Sequence, residues 1–379
     1  MIRFSDEHQA IRDMVADFAD HELSPNAEHV DQSGRSAEDQ LARLGALGLL
    51  GAALPEAYGG TGGDLLMQII ILEELARGCA GTAVAVASHA CASLAIAAHG
   101  SAEQKARWLP ELASGRRAAA WAHLEKLATP GVLTARAERD AESDAILLHG
   151  RKRLVAAARR ADVFVVVVGT GASTGEPELF IVERAHAAGL TVAEDADLLG
   201  LRGGELADVN LAAVRVDASA RLGSGPLTPA QLARVGATAS VALAALANGL
   251  SRTAIVYARG YAAQRRAFGV TIDRFEALRL KFGAAVATAE AARLLTYRAA
   301  AVLDRNEPAI AEAAQAKYFA SETAYQIAKD AVQILGGNGF SREYPVERMY
   351  RDAKMLEVMG GVNHAQRLIV ADTWIGATT

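Results

Sequence analysis

Cysteine is scarce in this sequence, and its two residues, Cys79 and Cys91, both sit in alanine-rich stretches of helical character. That excludes a disulfide framework and a cysteine-built metal centre, and both thiols read as small buried hydrophobes. Basic runs are missing too. The formal net charge is −5 with no polybasic tail, so neither nucleic acid nor an anionic membrane is an expected partner. No uninterrupted apolar run reaches the roughly 18 residues of a membrane span. The first twenty residues are amphipathic and acidic rather than signal-like, so a cytoplasmic protein is expected. What is present is a globular composition, 51% hydrophobic and 22% charged, in 379 residues. That is enough for two or three domains around a sizeable core.

Residues 1–116 read as a helical domain. Phe4, Ile11, Val15 and Phe18 fall on one helix face, with Ser5 as its N-cap. Further helices are expected near 37–47, 65–77, 83–98 and 102–113, with a glycine-rich loop around Pro55. The pattern changes near Arg117. Short β-branched runs separated by turn residues, with 163–169 the strongest, predict an antiparallel β domain over 117–225. Gly169-x-Gly171 follows a hydrophobic strand and imitates a dinucleotide fingerprint. Gly175-Glu176-Pro177 leads into another strand rather than a helix, so a hairpin turn is expected. Thr228-Pro229 then opens a long helix, and the pattern to the C-terminus predicts a helical bundle over 226–379.

The densest stretch is 330–367. A helix ends at Gly336-Gly337, and Asn338-Gly339-Phe340 turns the chain. Tyr344-Pro345-Val346 leads into a helix bearing Arg348, Arg351, Asp352 and Lys354, and a third helix follows Gly360-Gly361. Helices alternating with glycine turns bring backbone close to a ligand.

This stretch closely resembles the C-terminal signature of the acyl-CoA dehydrogenase family: a Gln-x-x-Gly-Gly-x-Gly turn, then Tyr-Pro-Val-Glu, then Arg-Asp-Ala-Lys. The family's early Pro-Glu-x-Tyr-Gly-Gly loop is matched at Pro55, Glu56, Tyr58, Gly59 and Gly60. The resemblance implies an α+β multidomain fold: an N-terminal helical domain, a central antiparallel β domain and a C-terminal four-helix bundle. It also implies FAD as cofactor, an acyl thioester of coenzyme A or a carrier protein as substrate, and oxidoreductase chemistry on a CH–CH bond.

The chain departs from the family where the chemistry lies. The usual catalytic glutamate position is Gly360, and the alternative position on the first bundle helix is Ala239, followed by Ser240. The residues that would hold the flavin ring align with Leu124, Glu125 and Lys126, and with Leu154, Val155, Ala156 and Ala157. The hydroxyls expected at Leu124 and Ala156 are gone. By contrast, the residues a family member lends to a neighbouring subunit's FAD stand in register: Arg265, Phe268, Gln333, Gly336 and Gly337. An arginine fork suits a pyrophosphate.

Three readings follow. The first is a subunit, paired in a dimer or tetramer with a homologous glutamate-bearing chain or with itself, that completes its partner's FAD site while its own is empty or altered. The second is a flavin enzyme of altered chemistry, monooxygenase-like or biosynthetic. The third is a cofactor-free catalyst or binding protein using the emptied cleft, with His123, Glu125 and His364 as acid–base candidates.

Overall fold

The computed structural model describes residues 4–126, 133–170, 175–194 and 197–376. The N-terminal helices are α1 (Asp6–Phe18), α2 (Ala27–Ser33), α3 (Gln40–Ala46), α4 (Leu65–Gly78), α5 (Ala80–His99) and α6 (Ala102–Ala113). Ser5 caps α1 reciprocally with His8, as a capping box does. His8 Nε2 also meets Asp64, 2.9 Å away, and Asp64 caps α4 by accepting from the Met67 N–H. The chain's first helix is thereby pinned to its most buried neighbour. The loop after Pro55 is a close-packed turn: a Cβ on Gly60 would stand 2.0 Å from the Leu54 carbonyl oxygen, so only glycine fits.

Helices α4 and α5 are apolar nearly all round because they are covered on most sides. By length and composition α5 could span a membrane, as could the 36-residue helix from Pro229; in their apolar windows 83% and 72% of residues are buried inside the protein. Among the exceptions to apolarity are Glu73 and Glu74, both buried, which make a charged core. Arg252 reaches Glu73 at 2.9 Å and Glu74 at 2.5 Å, Arg293 reaches Glu73 at 2.9 Å, and the Tyr297 hydroxyl donates to Glu73 at 2.7 Å.

The strands are β1 (Ala119–Ala122), β2 (Arg136–Arg139), β3 (Ile146–Val155), β4 (Val163–Thr170), β5 (Pro177–Glu183), β6 (Leu190–Val192) and β7 (Ala207–Val216). They form one seven-stranded sheet in the order β1-β4-β2-β3-β7-β6, with β5 on the other side of β4. The expectation of a wholly antiparallel sheet is corrected here, because β4 pairs in parallel with both β1 and β2. Strand β1 leaves α6 and runs beside β4, with the β2–β3 pair intervening in sequence, and that separation allows a parallel partner. The unbroken run in β4 is buried on both faces, which is why it does not alternate. Strands β4 and β5 pair antiparallel, and the Thr170 N–H bonds the Glu176 carbonyl, so a strand does follow Gly175. Gly171 lies outside the described residues.

The C-terminal part holds three long helices, α7 (Pro229–Gln264), α8 (Glu276–Asp304) and α9 (Ile310–Leu335), and two shorter ones, α10 (Val346–Leu356) and α11 (Asn363–Ile375). A two-residue hairpin, β8 (Arg266–Ala267) with β9 (Val270–Thr271), joins α7 to α8. Alanines on α7 and α9 let these two helices pack closely against each other, and α7 also packs against α4. Helix α7 begins with Thr228 accepting from the Gln231 N–H, Gln231 returning to the Thr228 N–H, and proline at N1. Thr228→Ala should lower unfolding free energy by about 1 kcal/mol in urea titration. An unchanged midpoint would count against the cap.

Candidate functional site

Where sheet and helices meet there is a small cavity of about 50 Å³. From the sheet side come Trp121, His123, Leu124 and Ala156, from α5 Cys91, from α7 Ala239, Ala242 and Leu243, and from the turn after α10 Met359 and Gly360. Both glutamate positions of the family, 360 and 239, thus face one space, and none of the described residues lining it is acidic.

Gly360 has φ +67°, a conformation that disfavours any side chain, and a Cβ built there would meet Leu243 Cδ1 at 2.5 Å. The turn that carries it is fastened by Lys317. This lysine is fully buried on α9, and its ammonium donates to the Glu357 carbonyl at 3.1 Å, the Gly361 carbonyl at 2.8 Å and Asn363 Oδ1 at 2.9 Å. Three acceptors match its three protons. Burial still brings its pKa down to about 7. Neither Lys317 nor Leu243 was singled out from the sequence. A lysine on the alanine stripe of α9, among Ala313, Ala316, Ala320 and Ala324, was the available signal for the first.

The three acid–base candidates do not converge, which corrects that expectation. His123 lines the cavity and stacks on Trp121, with ring centroids 5.5 Å apart. Burial, aided by the Lys152 charge, lowers its pKa to about 4, so it is a neutral and weakly basic imidazole at neutral pH. Glu125 is a structural anion. It pairs with fully buried Lys152 at 2.5 Å and accepts from the Thr134 and Ala135 N–H groups. Burial works against its charge, but Lys152 and these donors hold its pKa below 4.5; for Lys152 desolvation wins and brings the pKa down to about 8. His364 is exposed on the first turn of α11, away from the cavity lining. Glu357 is engaged with Lys354 at 2.5 Å.

The flavin-ring positions keep a special backbone without the side chains. Leu154 and Ala157 both have positive φ, 48° and 59°. Leu124 and Ala156 offer no hydroxyl, and the Leu124 and Ala156 carbonyls accept from the Arg153 N–H and the Ser88 hydroxyl. A cavity of about 50 Å³ is far below the roughly 300 Å³ at which ligand pockets begin. The residues present do not fit an isoalloxazine ring.

The outward-facing set is different. Arg265 closes α7, exposed and without an ion pair among the described residues. The Asn338 amide donates to the Tyr261 hydroxyl at 3.0 Å, tying the glycine turn to the last turns of α7, just before Arg265. Gln333 lines an open groove of about 380 Å³ with Lys281, Lys329 and Tyr350. Gly336 has φ +58°, and a Cβ on Gly336 or Gly337 would meet nothing within 4 Å. Phe268 is 95% exposed with φ 51°.

Helices, mixed sheet and helices around one junctional cleft define the architecture of flavin-linked acyl-thioester dehydrogenases. Family models agree: residues 5–116 match the acyl-CoA dehydrogenase N-terminal domain and residues 211–375 the C-terminal domain. The chain belongs to the acyl-CoA dehydrogenase family. It is 34% identical over 370 residues to the probable acyl-CoA dehydrogenase YngJ of Bacillus subtilis, covering 96% of this chain and 97% of that one. It superposes on butyryl-CoA dehydrogenase from Megasphaera elsdenii with a TM-score of 0.93 at 29% identity, covering 99% and 100% of the two chains. It is also similar to a Bacillus anthracis acyl-CoA dehydrogenase solved in complex with FAD, with a TM-score of 0.89 at 29% identity and coverage of 98% and 67%.

Lys152→Met would leave the Glu125 carboxylate buried without its counter-charge and should cost about 3–5 kcal/mol in denaturant. Adding Glu125→Gln should recover part of that loss. Because the folded pKa of Glu125 lies below its ordinary 4.5, its contribution is present above that pH and fades as pH falls through the lowered value. A wild-type stability flat across this acid range would contradict the pairing.

Proposed function

We propose that this chain is a supporting subunit of an acyl-CoA dehydrogenase-type assembly. It has no α-proton base of its own and completes the FAD site of a homologous, glutamate-bearing partner that oxidises an acyl thioester. The observation that carries this reading is the contrast between two surfaces. The space facing positions 360 and 239 has little room and no carboxylate among the described residues that line it, while Arg265, Phe268, Gln333, Gly336 and Gly337 stand open on the outside.

Phe268 supports it on energetic grounds. With Gly269 at φ +84° it forms a two-residue hairpin turn in which both central residues have positive φ, where Asn-Gly is preferred. Phenylalanine there is strained by about 1–2 kcal/mol and exposes an aromatic ring. A residue unfavourable twice over in the isolated chain makes sense when a neighbour covers it. The other readings find less support. An altered flavoenzyme needs room for the ring beside Leu124 and Ala156, and an emptied-cleft catalyst needs His123, Glu125 and His364 together.

Phe268→Asn should stabilise the isolated chain by about 1 kcal/mol while weakening assembly with a glutamate-bearing homologue. Arg265→Ala, with a mainly local effect, should reduce flavin uptake by the mixed assembly at least tenfold. Co-purification with flavin quantified by absorbance measures both. Full flavin content in mixed assemblies of either variant would sink the proposal.

A further inference from the structure

Lys317 is a cation without a counter-ion. It is fully buried on α9, forms no ion pair among the described residues, and has only neutral oxygens as partners: the Glu357 and Gly361 carbonyls and Asn363 Oδ1. The charges that act on it are Glu357 of the turn and Glu322 of α9 itself. Both are engaged elsewhere, Glu357 with Lys354 of α10 at 2.5 Å and Glu322 with Arg367 of α11 at 2.7 Å. No charge from α7 or α8, which also pack against α9, acts on it. His364, next to Asn363, is exposed. Burial without a contacting carboxylate is what draws this lysine down to a pKa of about 7.

Loss of one proton creates a conflict. A neutral amine has two protons and a lone pair, yet all three of its neighbours are acceptors. Two protons still serve the Glu357 and Gly361 carbonyls, and the lone pair is left aimed at Asn363 Oδ1, which repels it. The same amide group carries the donor that would relieve this. Asn363 Nδ2 lies 3.0 Å from the Ser321 hydroxyl and 3.4 Å from Glu322 Oε1, and the Ser321 hydroxyl is also 3.1 Å from Asn363 Oδ1. A hydroxyl within reach of both ends of the amide, able to donate or accept, serves either orientation. Turning the amide over gives the lone pair a donor and keeps the bond to Ser321. What it gives up is the contact with Glu322.

We propose that Lys317 and Asn363 form a proton-controlled latch at the turn that carries Gly360. With the ammonium in place, Asn363 presents its oxygen to Lys317 and its nitrogen to Ser321 and Glu322. When the proton passes to solvent, the amide turns over and Glu322 is released to Arg367 alone. The latch thereby links a buried turn to an ion pair between α9 and α11. It goes beyond the supporting-subunit reading, is independent of it, and involves no covalent step.

The test is a pH titration by NMR of the full-length protein, carrying ¹³C at lysine Cε and ¹⁵N at asparagine side chains. Lys317, assigned by its loss in Lys317→Arg, should titrate at a proton concentration at least a hundredfold above that of an exposed lysine, whose pKa is about 10.4. The Asn363 Nδ2 protons should shift with the same midpoint, while those of Asn248, buried against Thr296, stay flat. Their nuclear Overhauser contact with the Lys317 Cε protons should strengthen at least twofold above the midpoint, which a change of charge without a turned amide would not produce. In Lys317→Met the Asn363 shift should disappear, and Lys317→Gln, which keeps two donors, guards against loss of folding. In His364→Gln the shift should persist. The proposal is overturned if Lys317 titrates with the exposed lysines, or if the Overhauser contact is the same on both sides of the midpoint. It is equally overturned if the Asn363 shift survives in a folded Lys317 variant or vanishes in His364→Gln.

Discussion

One buried ammonium holds the centre of this molecule together. Lys317 reaches from α9 to two carbonyls and an amide oxygen around the turn between α10 and α11, where the Asn363 N–H also donates to the Glu357 carbonyl and the Ser321 hydroxyl to Asn363 Oδ1. Buried carbonyls left without donors are costly, so the turn stays where the lysine is. That fixes Gly360 at the cavity wall and, through it, the fit of Leu243. The second anchor of the same region is Asp352, whose carboxylate accepts from the Leu201 N–H at 2.6 Å and so ties α10 to the loop before β7. Burial raises the Asp352 pKa to about 6. Helix, sheet and turn are therefore positioned by buried polar groups, and the apolar packing fills the space between them.

The molecule is divided along a chemical line. Inside, the positions that face the cleft at 360, 239, 124 and 156 are small or aliphatic, and the carboxylates nearby are spent on structure: Glu125 on Lys152, Glu357 on Lys354. Outside, at the end of α7 and the start of the glycine turn, residues are held in conformations that the chain's own packing does not require. Gly336 and Gly337 face open space, and Phe268 projects from a strained turn. This contrast between a closed inner side and an open outer side is the one on which the proposed supporting role rests.

Much of this was legible in the sequence because it depended on short-range rules. The caps at Ser5 and Thr228, the glycine stop after Leu335 and the helical, strand-rich and helical regions all follow from local residue preferences. The positions lining the cleft, Gly360, Ala239, Leu124 and Ala156, were legible only through the resemblance to the family's motifs. What escaped were tertiary pairings. Nothing local in β1 or β2 tells which strand lies alongside, so the parallel partners of β4 were missed. Leu243 looks like any apolar residue of a buried helix, and its meaning comes from a glycine far along the chain. His364 was placed near the cleft by sequence proximity to Gly360, but the first turn of α11 points it to solvent.

The most direct measurement is the absorbance spectrum of the protein purified alone, before and after incubation with excess FAD and removal of the unbound cofactor. The account predicts no flavin band in either sample, because the inner site has neither the room nor the polar groups for the ring. A stoichiometric flavin band on the isolated chain would contradict it.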